Sequence, residues 1–328
     1  MKKITIAFPT FNRGLYLERA VVSIAEQVKN CHSHFDIELC VYDNSSTDET
    51  SKICERLQSE YDGIKVFRHD VNVGADRNIL HALQQATGDY VWIFGDDDYI
   101  LPGVLDSLLA VLQENDVSLL KMAGVEERDV RQGAASRVPM AQQARSLSQK
   151  RPVAASQYPF PDQILGAFGA GMGNFSSIVF STKFFNRFYR EPERVIFDSG
   201  YSQLEWMYRG IFEAPLKFFY VSEPCVSIRI EAIPRGLSSE KVVAGLNLLR
   251  NSISAIGYGE DVVEHFYKAQ IEANRLGNLK ACKFGEVSCL KAAMQALKEA
   301  QSVKLMAKVL VIALLPPSMY KSLWKRLG

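Results

Sequence analysis

Over its first 122 residues the chain alternates short apolar runs with amphipathic stretches, and this alternation limits the fold more than any other feature. Ile4–Phe8, Phe35–Tyr42, Ile64–His69, Tyr90–Phe94 and Val117–Met122 read as strands. They are short, β-branched or aromatic, and bounded by turn residues. Between them, Leu15–Val28, Glu49–Ser59, Arg77–Ala86 and Gly103–Glu114 read as helices; in the first, apolar residues recur at 17, 20, 21, 24, 25 and 28. Strands separated by helices make βαβ units. The expected fold is therefore α/β, a mostly parallel sheet flanked by helices on both faces.

Polar residues gather where the strands end. Pro9-Thr10 closes the first strand, Asp43 the second, and Asp96-Asp97-Asp98 follows Trp92-Ile93-Phe94-Gly95. In a parallel sheet these ends share one carboxyl edge, where ligands of open α/β sheets bind. Three adjacent carboxylates repel one another unless a positive group sits among them. A hard divalent cation, Mg²⁺ or Mn²⁺, suits oxygen ligands and shares them with a diphosphate. The competing reading is a solvated acidic turn.

At 328 residues the chain can form one large domain with an appendage, or two domains. A formal net charge of +1 gives no reason to expect a nucleic-acid partner. The six cysteines form no C-x-x-C pair, and none stands with His in a zinc spacing. The first residues run straight into strand-like sequence, and no apolar run reaches the roughly 20 residues of a spanning helix. A cytoplasmic protein with reduced thiols is expected.

Residues 124–160 read as a long polar excursion, and residues 164–230 return to core-like sequence. Within the latter, Gly169-Ala170-Gly171-Met172-Gly173-Asn174-Phe175-Ser176-Ser177 feeds the strand Ile178–Phe180, as a tight turn or a substrate contact. From Lys241 the periodicity is helical: Lys241–Ala255, Glu260–Phe284, Gly285–Ala300, and a last apolar helix stopped by Pro316-Pro317. Trp324 then stands among Lys321, Lys325 and Arg326. Residues 302–328 are thus expected to lie in a membrane interface as a peripheral contact. Packing on the catalytic domain, or an oligomer contact, are the alternatives.

Five motifs occur in order: Pro9-Thr10-Phe11-Asn12-Arg13; Val41-Tyr42-Asp43-Asn44-Ser45-Ser46-Thr47-Asp48; Asn72-Val73-Gly74 with Arg77-Asn78; Gly88 through Asp98; and Leu101-Pro102-Gly103. Together they resemble family 2 glycosyltransferases of the GT-A fold, over about the first 105 residues, with a fainter return in Glu205–Arg229. The Gly before the triple Asp looks most like the bacterial O-antigen branch, with its abequosyltransferase-like enzymes. The resemblance implies a GT-A catalytic domain over residues 1–235, with a nucleotide-sugar half (1–123) and an acceptor half (160–235). A helical C-terminal region, 236–328, follows.

The resemblance also implies roles. Pro9, Thr10, Asn12 and Asp43 would form the nucleotide pocket, and Asp43 would accept a hydrogen bond from the base. Arg77 is similar to the family's nucleotide-side Arg; as a lone charge at a helix start it also reads as a surface cation. Asp96 and Asp98 would bind Mn²⁺ or Mg²⁺, with Asp96 and Asp97 on the nucleotide-sugar. The partners so implied are a nucleotide-sugar donor and a saccharide acceptor, lipid-linked in surface-polysaccharide assembly. Two departures stand out. Gly95 replaces the usual Asp, and aligning on Tyr208-Arg209 puts Ser202-Gln203 where the family has a Glu-Asp pair that supplies the base. Asp198, in a loop, and Glu205, on a helix face read as solvated, are the candidate bases. The Gln-x-x-Arg-Trp element of processive synthases is absent, which favours transfer of a single sugar. A nucleotide-sugar binder without catalysis is one alternative. A sugar nucleotidyltransferase is another, but the N-terminal loop lacks the Gly- and Lys/Arg-rich phosphate cradle of that chemistry.

Overall fold

The computed structural model describes residues 1–128, 156–158, 160–188, 201–213, 216–230 and 239–281. They belong to two compact units, the first running to residue 230 and the second beyond it.

The first unit is built on a sheet of nine strands. Strands β1 (Lys2–Thr10), β2 (Phe35–Asp43), β3 (Ile64–Arg68) and β4 (Tyr90–Ile93) are parallel, in the spatial order β3-β2-β1-β4. Beyond β4 lie β8 (Ile178–Ser181), β6 (Leu119–Arg128), β9 (Phe218–Ile230) and the two-residue β5 (Tyr99–Ile100), while β7 (Ser156–Gln157) also pairs with β9. β8 runs antiparallel to both β4 and β6, and β9 runs parallel to β6.

Helices α1 (Gly14–Lys29) and α2 (Thr50–Glu60) connect strands stepping one way along the sheet; α3 (Ala75–Gln85) crosses back to β4. Right-handed crossovers then put α1 and α2 on one face and α3 on the other. Leu17, Val21 and Ile24 of α1, Ile53 and Leu57 of α2, and Leu105, Leu108 and Leu112 of α4 (Val104–Glu114) share one core with Ile4, Ile6 and Phe8 of β1. Full burial of each such aliphatic side chain contributes about 2 kcal/mol. Gly88 lets β4 close on β1: a Cβ there would stand 2.7 Å from the Thr5 nitrogen.

The first residues of the polar excursion predicted over 124–160 are strand. β6 continues to Arg128 because the long strand β9 gives it a partner, after irregular pairing around Ala123. Sequence periodicity also missed the short helices α5 (Pro161–Phe168) and α6 (Thr182–Phe188), each too brief for a clear 3.6-residue signal. α7 (Ser202–Glu213) precedes β9.

In the second unit α8 (Ser239–Ile256) and α9 (Glu260–Ala281) pack through Leu246 and Ile271, with Arg250 paired to Glu264 at 2.7 Å. Among the described residues no helix is long and apolar enough to cross a membrane. The helix expected over Gly285–Ala300 and the tail 302–328 lie outside the described residues.

Candidate active site

Strand order reverses between β1 and β4, since β1 leads to β2 on one side and the chain returns to β4 on the other. Such a switch point leaves a crevice at the carboxyl ends of the two strands. Thr10 ends β1, and Asp96 follows β4. The Thr10 hydroxyl donates to Asp96 Oδ2 at 2.8 Å. Arg13, in the turn into α1, places Nη1 3.0 Å from Asp96 Oδ1 and pairs Nη2 with Asp97. Asp98 faces other donors: its Oδ2 accepts from Ser176 Oγ at 2.5 Å, and its Oδ1 from the Arg229 backbone N–H at 2.8 Å.

The Gly95 N–H donates to Ser176 Oγ at 2.8 Å. A Cβ at position 95 would stand 2.9 Å from Asp98 Oδ2 and 3.1 Å from Ser176 Oγ. Glycine there is what lets Ser176 reach the Asp98 carboxylate. This is a steric account of the missing Asp at that position.

Asp96 and Asp98 are both buried. Burial pushes the Asp96 carboxyl up to about 7, against the pull of the Arg13 charge and the Thr10 hydroxyl, while Asp97 and Asp98 add to the rise. Burial likewise lifts Asp98 to about 6, opposed by Ser176 and the Arg229 N–H. Among the described residues, Arg13 pairs with two of these three carboxylates and Arg229 stands nearby over the Tyr16 ring, so positive charges are fewer than acids.

Among the described residues no three His, Cys, Asp or Glu side chains converge as a complete metal cage. Mg²⁺ does not require one: it is usually held by one or two carboxylates together with substrate phosphates and water. The all-oxygen donor set and the charge deficit fit such a cation. Asp98 is the better placed ligand, because Asp96 is paired with the Arg13 charge, whereas Asp98 accepts from uncharged donors, Ser176 Oγ and the Arg229 N–H.

A second polar group lies beside the first, at the ends of β1, β2 and β3. Asp43 Oδ1 accepts from the Ser46 N–H at 2.9 Å, and Oδ2 pairs with Arg68 at 2.7 Å. Asn12 binds the loop after β2 twice: its N–H donates to Ser46 Oγ at 2.8 Å and its Oδ1 accepts from the Thr47 N–H at 2.7 Å. Asn44 donates to Asn72 at 2.9 Å and accepts from the Val73 N–H at 2.8 Å. Asn12 and Ser45 hold positive φ, 53° and 63°. Residues other than glycine adopt that conformation at a cost of about 1 kcal/mol or more, and it clusters where loops are shaped for ligands.

Thr10, Asn12, Asp43 and the three acids therefore belong to one edge, and Pro9 sits within β1 opposite Tyr42. Arg77 is exposed on α3, with Nη1 3.4 Å from the Val73 carbonyl; the guanidinium on Asp43 is that of Arg68. Glu205 differs from expectation. Its helix face is buried, not solvated, and Arg209 one turn later grips Oε1 through Nε at 3.0 Å and Nη2 at 2.5 Å. Trp206, Met207 and Tyr208 are buried around it, and that packing is what draws the face inward. Asp198 lies outside the described residues. Sequence reasoning gave no separate role to Arg13, Arg68 or Ser176. Arg13 had a signal in its place directly after Pro9-Thr10-Phe11-Asn12; Ser176, some 80 residues from Asp98, had none.

Known proteins resemble this chain in sequence and in fold. Residues 5–166 match the profile of glycosyl transferase family 2. Abequosyltransferase RfbV of Salmonella typhimurium is 42% identical over 111 residues, 34% of this chain and 31% of that protein. A GalNAc(5)-diNAcBac-PP-undecaprenol beta-1,3-glucosyltransferase of Campylobacter jejuni is 36% identical over 115 residues, 35% of this chain and 36% of that one. The matched stretch thus spans about a third of these relatives. Staphylococcus aureus TarS 1-349, solved with UDP-GlcNAc, superposes with a TM-score of 0.60 at 17% identity, over 90% of this chain and 80% of that one. The fold is GT-A.

Proposed function

We propose that this chain, whose residues 5–166 match the profile of glycosyl transferase family 2, transfers a single sugar from a nucleoside-diphosphate donor to a saccharide acceptor. The observation that carries this reading is the convergence of Thr10, Arg13, Asp43 and Asp96–Asp98 on the switch-point crevice between β1 and β4. The relatives are bacterial proteins named as sugar transferases, and one is named for an undecaprenol-linked substrate. A lipid-linked acceptor in surface-polysaccharide assembly, met at the cytoplasmic membrane face, extends that pattern to this chain. The apolar, then basic and aromatic, tail over 302–328 suits such a peripheral contact.

In this reading Asp43 and its loop receive the base, while Asp96 orients the ribose side of the donor. Asp98 would hold a divalent cation, Mn²⁺ or Mg²⁺. Bound there, the cation would supply charge stabilisation to the departing diphosphate without proton transfer. Sugar transfer passes through a cation-like centre at the anomeric carbon, so negative charge grows on the leaving group. Arg13 and Arg229, beside the acids, add positive potential on that side. The acceptor hydroxyl needs a base, and Asp198 is the candidate for it; Glu205, held by Arg209, would first have to be released.

A second reading is a nucleotide-sugar binder without catalysis. It rests on Ser202-Gln203 in place of the acidic pair and on the engaged Glu205. Calorimetry with a panel of nucleoside-diphosphate sugars, with Mn²⁺ and with chelator, tests both. Micromolar, cation-dependent binding of one donor, with slow hydrolysis in the absence of acceptor, is expected. Binding without any hydrolysis would favour the binder, and no binding at all would refute the proposal.

A further inference from the structure

Arg13 is the counter-ion that the acid cluster already carries. Its guanidinium spans Asp96 and Asp97, and its side chain keeps only 27% of its exposure. Tyr16 lies under it, with the ring centre 5.4 Å from the Arg13 guanidinium carbon and 4.1 Å from that of Arg229. Two guanidinium groups thus share one aromatic ring at the border of the acids. The Arg229 backbone meanwhile donates to Asp98. The ring holds both cations near the cluster, since a cation over an aromatic face is attracted to it.

A divalent cation entering this cluster alone would meet Arg13 at close range. Like charges a few ångströms apart, away from bulk water, repel one another strongly. Entry with a nucleoside diphosphate is different, because the diphosphate gives the guanidinium a new anionic partner. Arginine suits that exchange: its planar fork binds carboxylate and phosphate alike.

We propose that Arg13 is a positioning residue that neutralises Asp96 and Asp97 in the donor-free protein and passes to the diphosphate when donor and cation enter together. Cation binding is therefore coupled to nucleotide binding, and weak without it. The inference rests on the glycosyltransferase reading for the identity of the diphosphate, but its central claim concerns a cation and Arg13 alone.

The test measures Mn²⁺ affinity of the full chain by the paramagnetic resonance of free Mn²⁺, without nucleotide and then with UDP, GDP, CDP or dTDP. It compares the native protein with Arg13→Met and Arg13→Lys, each first checked by its thermal transition. Without nucleotide, Arg13→Met is expected to bind Mn²⁺ about tenfold more tightly, because a competing charge is gone. Arg13→Lys keeps the charge and should stay near the native value. With the matching nucleotide, Arg13→Met should lose about tenfold in nucleotide affinity. Unchanged or weaker nucleotide-free Mn²⁺ binding in Arg13→Met would overturn the proposal, as would no Mn²⁺ binding by any form. Failure of every nucleotide to bind, with the Mn²⁺ gain intact, would instead count against the donor reading and leave the counter-ion role supported.

Discussion

Glu38 on β2 and the Asp96 that follows β4 are buried carboxylates of the same sheet, 7% and 6% exposed, and their surroundings are opposite. Glu38 lies toward the amino ends of the strands. Its Oε2 accepts from the hydroxyls of Thr5 and Thr87, both at 2.9 Å, and Oε1 pairs with Lys65 at 2.6 Å and Lys3 at 3.3 Å. Burial alone would raise its pKa, but Lys65, the two hydroxyls and Lys3 outweigh it and hold the carboxyl at about 2. Asp96, at the carboxyl edge, has one hydroxyl and one shared guanidinium against two neighbouring acids, and burial carries it to about 7. The amino half of the sheet is electrostatically complete. The carboxyl edge around Asp96 is left incomplete among the described residues, which suits the cation site proposed there.

The largest expected effect is at that incomplete edge. Asp98→Ala should weaken cation-dependent donor binding by about a hundredfold or more, with the thermal transition little changed. Calorimetry with Mn²⁺ and the matching donor reads this directly, and normal binding would remove Asp98 as the cation ligand.

The next effect is on stability at the complete end. Glu38→Gln should destabilise the protein by about 2–3 kcal/mol at pH 7. The native Glu38 pKa lies below its ordinary value of 4.5, so its contribution is fully present above that pH and is lost as pH falls through about 2. Denaturant unfolding of both proteins should therefore converge toward pH 2. A gap that stays constant with pH would mean that packing, not charge, carries the effect.

The smallest effect sharpens the contrast. Asp96→Asn keeps an acceptor for Thr10 and removes a charge that is costly to bury, so stability at pH 7 should stay within about 1 kcal/mol of native. Donor affinity should still fall. A stability loss as large as that of Glu38→Gln would erase the distinction between the two ends of the sheet.

The helices and longer strands of the first 114 residues were legible because their apolar periods are strong: Leu17, Ala20, Val21 and Ile24 mark one helical face, and Tyr90–Phe94 a buried strand; the two-residue β5 was too short to read. The clustering of polar residues at one edge was legible too, since a parallel sheet delivers Thr10, Asp43 and Asp96 to one side whatever its strand order. Glu205 was not. A single acid at a helical position carries no sign of whether its face is wet, and it was Trp206, Met207 and Tyr208 that buried it beside Arg209. Nor was the extension of β6 to Arg128, because a polar stretch becomes a strand only when a neighbour such as β9 takes up its backbone hydrogen bonds.

What the amino-acid order determined by itself is local: which runs become strand or helix, which loops follow which strand, and that three acids stand together. Those outcomes depend on residues close in the chain. The tertiary structure alone decided which cation faces which acid. Arg13 reaches Asp96 and Asp97 across more than 80 residues, Ser176 reaches Asp98 across 78, and the Arg229 backbone reaches it across 131. Such pairings depend on how the sheet is ordered and where its strands part. A charge becomes a counter-ion only when the fold brings it within hydrogen-bond distance.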